Sequence, residues 1–307
     1  MRCRLAAALL VLAAGTMPRA VPADPLNAAI GRALFERSWV QAPSSTRAAD
    51  GLGPLFNARS CAACHPAGGR GNPPDPGADG PAAGFALRLD GRSAYGRQIQ
   101  TRGVAGAVPE ARIGVTYREE AVPLDGAGGV GLRKAAVTLS ELGYGPLPPD
   151  AAVSLRVAPP LRGLGLLERV PDAEILAAAD PGDRDGDGIS GRARRVAVPG
   201  GTTLGRFGWK AGHATLSDQI AEAFLLDLGM STPRMRAGWG DCTAAQAACR
   251  AAPHGDAAES EGVEIPSTVL GLVEQHLRAL PPRRDRRPDE AGLALFTATG
   301  CAACHRP

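Results

Sequence analysis

Cys61-Ala62-Ala63-Cys64-His65 and Cys301-Ala302-Ala303-Cys304-His305 set two thiols and an imidazole in the same order and spacing. On a helical turn, residues three and four apart share a face. Both sulfurs can then bond the vinyl groups of one haem, while the adjacent imidazole points at the iron as proximal ligand. This is the spacing of c-type haem attachment. A thioredoxin-like redox pair would want a βαβ context, which the flanking sequence does not supply. Neither a four-cysteine zinc site nor two plain disulfides would need a histidine after each pair. The expected cofactors are two covalent haem c groups. One is held by Cys61, Cys64 and His65, the other by Cys301, Cys304 and His305, with His65 and His305 as iron ligands.

Other residue clusters invite chemistry of their own. Cys242 and Cys249 have no neighbouring histidine, and in an exported chain a disulfide is the simplest use for them. Asp183, Asp185 and Asp187 alternate along the chain, with Gly188 in the sixth position, as in the opening of a calcium loop. The twelfth position is Arg194 and not the bidentate glutamate of a helix-loop-helix site. An acidic turn held by Asx hydrogen bonds therefore stands beside the calcium reading. Distal partners for the first iron come from His213, His254, His276, Met230 and Met235, since His and Met are the usual axial residues. Arg59 and Arg70 flank the first motif and could pair with haem propionates, because guanidinium matches carboxylate in a two-pronged geometry.

These groups need elements to carry them. Leu55-Phe56-Asn57-Ala58 and Leu295-Phe296-Thr297-Ala298 stand at the same offset before the two motifs, so one structural unit is repeated. Apolar spacing predicts helices over 24–38, 171–179, 217–228, 267–280 and 288–300. Gly229 stops the third of these, and Pro281-Pro282 ends the fourth. Residues 72–84 are rich in Pro and Gly and read as loop. Short strands are expected at 85–89 and 133–139. The fold class expected is mainly α, with cytochrome c-like haem domains, long loops and a few short strands. Residues 24–282 form the first haem domain and 283–307 the start of a second, across a charged linker at 283–287.

Arg2 and Arg4, an apolar run from Leu5 to Gly15, and small residues around Val21-Pro22-Ala23 make 1–23 a signal peptide. The run is too short to span a bilayer, which takes about 20 residues. The mature protein is thus expected in the periplasm without a membrane span. A hydrophobic content of 44% can bury a core, while 40 Gly and 27 Pro imply many turns. The formal charge of +3 includes the arginines of the leader, and nothing in the remainder points to nucleic acid.

Together with their surroundings, the motifs resemble the bacterial di-haem oxidoreductases, also called thiol oxidoreductases, distant relatives of the di-haem cytochrome c peroxidases. The stretches that carry the resemblance are 51–71 (GLGPLFNARSCAACHPAGGRG), 157–170 (VAPPLRGLGLLERV), 183–192 (DRDGDGISGR), 206–211 (RFGWKA) and 241–249 (DCTAAQAAC). The resemblance implies a mainly helical protein with two haem domains, working in redox chemistry outside the cytoplasm. It also makes Trp209 a candidate electron relay, since di-haem peroxidases often place a Trp between haems. The family continues well beyond its second haem motif, whereas this chain stops two residues after His305, so the second haem is expected to be poorly covered. Three functions stay open. The first is a periplasmic di-haem oxidoreductase that transfers electrons from a small donor protein and reacts with hydrogen peroxide. The second is a pure electron-carrier cytochrome, and the third is an inactive truncated haem-binding fragment.

Overall fold

The computed structural model describes residues 24–80, 84–124, 128–282 and 289–305. The signal segment 1–23 and the linker at 283–287 lie outside the described residues. The N-terminal helix Pro25–Glu36 starts where Asp24 accepts a hydrogen bond from the Leu26 N–H at 2.9 Å. Pro25 occupies the first turn, where a missing N–H costs nothing. Gly31, Leu34 and Phe35 form its buried face, against helix Ser267–Ala279. A side chain at position 31 could not fit, because its Cβ would stand 1.9 Å from the Leu272 carbonyl oxygen.

A third helix, Leu216–Ala223, is capped by the Thr215 hydroxyl, which accepts from the Asp218 N–H at 3.1 Å. It continues as one π-helical turn, Phe224–Leu228, and ends at Gly229 in the left-handed conformation, with φ of +71°. Single π turns are frequent at functional sites. These three helices share one core with Trp39, Leu55, Phe56, Phe207 and Ile265. Trp39 meets the Phe224 ring edge-on, with centroids 6.3 Å apart.

The mainly α expectation is corrected by the sheet content. Helix makes up 29% of the chain and strand 24%. A three-stranded antiparallel sheet is ordered Gly96–Gln98, Phe85–Ser93, Val153–Val157. A second sheet joins Ala78–Gly80 to a long hairpin, Arg112–Leu124 with Gly128–Ser140. The expected strands at 85–89 and 133–139 are present but longer, and part of the expected 72–84 loop is strand at 78–80. The reason is local. Ile113, Val115 and Tyr117 alternate along one strand and Val137 and Leu139 along its partner, a period of two that packs one face on a core. Phe85, Leu87, Tyr95 and Ile99 complete that second core.

The last helix, Glu290–Ala298, follows an Asp289 cap and has no buried residue. Among the described residues, no helix is long and apolar enough to cross a membrane.

Candidate haem cleft

Ser60 opens the first motif. Its hydroxyl accepts from the Ala63 N–H at 3.2 Å and starts the one-turn helix Cys61–Cys64. The His65 N–H then bonds the Cys61 carbonyl at 2.9 Å. In the second motif the His305 N–H bonds the Cys301 carbonyl at the same 2.9 Å, after a turn entered through Gly300 at φ of +81°. The local chain path is thus shared, but the surroundings are not: Cys301, Cys304 and His305 are exposed.

Cys61, Cys64 and His65 line a cleft of about 760 Å³. That is within the usual range for a site enclosing a cofactor or drug-sized ligand, about 300–1,000 Å³. Its apolar wall comes from the helices, through Phe35, Phe224, Val273 and Leu277, and from Leu161 and Leu164. The His65 Nδ1 lies 2.9 Å from the Pro159 carbonyl oxygen. With Nδ1–H donating there, Nε2 keeps its lone pair for a metal. Burial lowers the His65 pKa, with Asp227 opposing, so the ring is held neutral as a ligand must be.

Burial, then Asp227, pushes the Cys61 thiol up to about 12, and the Cys64 thiol is raised for the same reasons. Reactive redox cysteines need the opposite shift. Every strand pairing in the named sheets is antiparallel, which removes the βαβ context as well. Nor do the two cysteine pairs converge on a common metal position among the described residues. The donor set fits a porphyrin bound through sulfur and imidazole.

The same cleft carries a polar wall that sequence reasoning missed. Arg88, Arg97 and Arg156 come from the three strands of one sheet and all line the cleft. Arg88 reaches Glu222 at 3.3 Å, and Arg97 reaches it at 2.9 Å. The His213 Nε2 sits 3.1 Å from Glu222 Oε2, the same oxygen that Arg88 reaches. Burial alone would raise the Glu222 pKa, but the His213 hydrogen bond and the charges of Arg88 and Arg97 win and bring it to about 2. Gln219 also lines the cleft, and its buried Oε1 has no hydrogen-bond partner among the described residues. A buried, unpaired acceptor is costly, so an orphan beside a cleft suits a site built for a bound group. Arg156 has no carboxylate within ion-pair distance among the described residues and stacks 5.8 Å from the Trp209 ring. The one sequence signal for this wall was basic residues alternating with apolar ones in Phe85–Ser93 and Val153–Val157.

Of the five expected distal candidates, His213 and Met235 line the cleft. His254 bonds Asp256, His276 packs on Phe35 with centroids 5.4 Å apart, and Met230 is fully buried elsewhere in the core. Arg59 and Arg70 are not in the cleft wall; Arg59 donates to the Trp39 carbonyl at 3.1 Å. Trp209 is on the rim, 58% exposed. Away from the cleft, Cys242 and Cys249 are joined as a disulfide. The Asp183, Asp185 and Asp187 carboxylates gather within 4.8 Å of one another. Asp183 and Asp187 also accept backbone N–H bonds from Gly188 and Ile189.

A cleft with a neutral histidine, two adjacent cysteines and a charged wall is one that a haem would fit. The chain belongs to the family whose model is described as "Di-haem oxidoreductase, putative peroxidase", matched over residues 21–88 and 145–307. No curated protein and no solved structure matches the chain.

Proposed function

We propose that this protein is an exported, periplasmic c-type di-haem oxidoreductase with an open, peroxide-reactive first haem, fed with electrons by a small donor protein. The first unit is residues 24–282, and the second motif opens another at 283–307. The single observation that carries the open-site reading is the His213–Glu222 bond. His213 Nε2 is committed to the Glu222 carboxylate, so that nitrogen would not be available to a haem held by His65.

Cys61 and Cys64 would hold the porphyrin through thioethers, and His65 Nε2 would ligate the iron, with Pro159 fixing the ring. When bound, the haem supplies the iron redox chemistry that peroxide reduction needs. The chain's own residues handle protons and charge. Glu222 orients His213 so that its Nδ1 lone pair can take a proton from one peroxide oxygen and return it to the other. Arg88 and Arg97 keep Glu222 ionised. Arg156 suits a propionate, because the wall's other carboxylate ties go to Arg88 and Arg97. Trp209, at the rim, is a candidate relay for incoming electrons.

Optical spectra test this directly. The haem-loaded protein should show a high-spin population, bind cyanide and react with hydrogen peroxide. His213→Ala should slow the peroxide reaction by about 10²–10⁴-fold. A uniformly low-spin protein, indifferent to both ligands, would instead be the electron carrier, with Met235 as the residue in the cleft able to close the iron. For Asp183, Asp185 and Asp187 we read a calcium loop. Calorimetric titration of the folded protein with calcium should give heat, and a flat trace would leave only an Asx-bonded turn.

A further inference from the structure

Arg97 and Gly96 lie in a stretch that the family model does not match, between residues 88 and 145, yet Arg97 reaches into the cleft. Its placement depends on a residue outside that stretch. Asp241 Oδ2 accepts the Arg97 backbone N–H at 2.5 Å, and its Oδ1 lies 3.4 Å from the Arg97 Nε. The Arg97 side chain then extends to Glu222 Oε1 at 2.9 Å. Asp241 immediately precedes Cys242, at the neck of the loop closed by the Cys242–Cys249 disulfide. That loop is tied to the same strand pair: the Thr243 hydroxyl donates to the Ala94 carbonyl at 2.7 Å. Gly96 is left-handed at φ of +67°, and a Cβ there would stand 2.6 Å from Asp241 Oδ2. The absence of a side chain is what lets the carboxylate cap this turn.

We propose that Asp241, held by the disulfide loop, is a positioning residue that seats Arg97 against Glu222 and so sets the charge of the haem cleft. This rests on the reading of Glu222 and His213 as the cleft's working pair. Unseating Arg97 leaves the Glu222 carboxylate less compensated, and negative charge near an iron favours its oxidised form. The direction is diagnostic. Removing Asp241 deletes a negative charge, which by itself would raise the potential of the first haem; unseating Arg97 lowers it.

The test is spectroelectrochemical titration of the full haem-loaded chain for wild type, Arg97→Gln, Asp241→Ala, their double variant and Asp241→Asn. We expect Arg97→Gln and Asp241→Ala both to lower the first haem's midpoint. The double variant should lie at or above Arg97→Gln alone, because the lowering acts through one contact and does not add, while loss of the Asp241 charge acts only upward. Asp241→Asn keeps an acceptor for the Arg97 N–H and should recover part of the loss. A rise in Asp241→Ala, or a double variant lying below Arg97→Gln, would overturn the proposal. Should Asp241→Ala not fold, Gly96→Ala disturbs the same contact with no change of charge; an unchanged midpoint there would also overturn it. The outcome does not depend on peroxide. A wild type inert to cyanide and peroxide would sink the peroxidase reading, whereas the midpoint shifts judge Asp241.

Discussion

Glu222, in the cleft wall, titrates in the opposite sense to its cysteine and histidine neighbours. Burial holds Cys61 and Cys64 as protonated, unreactive thiols in the bare chain and keeps His65 neutral, whereas Glu222 is held ionised. Attachment should therefore stand or fall with the sulfurs. Cys61→Ala with Cys64→Ala should remove one haem per chain, seen as the loss of one haem mass on intact mass spectrometry, while His305 and its cysteines keep theirs. Glu222 gives a prediction about acid. Its folded pKa, about 2, lies below the ordinary value of 4.5. Its stabilising contribution is thus complete above pH 4.5 and is lost as pH falls toward 2. Glu222→Gln should be less stable than wild type at neutral pH, and the gap should close near pH 2. A gap that stays constant from pH 6 to pH 2 would mean that Glu222 is not held in this way.

At the scale of elements, the sheets deserve as much weight as the helices, because they bring the cations. The helices were legible in the sequence. Helical spacing located 24–38, 217–228 and 267–280 to within a few residues, and Gly229 ends its helix as its type suggests. The turn at both cysteine-histidine motifs is local in the same way, with the histidine N–H bonded to the first cysteine's carbonyl in each. The sheet and its arginines were not legible. Arg88 and Arg97 sit on consecutive strands, but Arg156 lies far along the chain, and only the pairing of the three strands brings it beside them, a long-range fact that spacing along one segment cannot carry. Glu110 illustrates the same point. It is buried between the Gln100 N–H at 2.6 Å and Gln246 Nε2 at 2.6 Å, and so joins the strand segment to the disulfide loop. Burial pushes its pKa to about 8, above the ordinary 4.5. The folded state then holds a proton that the unfolded state releases, so stability is full below pH 4.5 and falls as pH rises through 8. Thermal midpoints should decline over that window in wild type and decline less in Glu110→Gln. The loop itself can be weighed. Closing so short a ring should stabilise by roughly 2.5 kcal/mol in the chain-entropy model, so Cys242→Ser with Cys249→Ser should lower the denaturation midpoint by a corresponding amount.

The whole molecule joins a helical body that carries the first motif to sheets that complete the cleft around it. The family match covers the helical body and passes over the segment from 89 to 144, which holds Arg97, Glu110 and the long hairpin. Haem carried at both motifs is the central prediction. Intact mass, with a haem stain on the denatured chain, should be measured on protein exported from a cell with working cytochrome maturation. Two covalent haems per chain, falling to one when either cysteine pair is replaced, is the predicted result; a colourless chain of unmodified mass would contradict it.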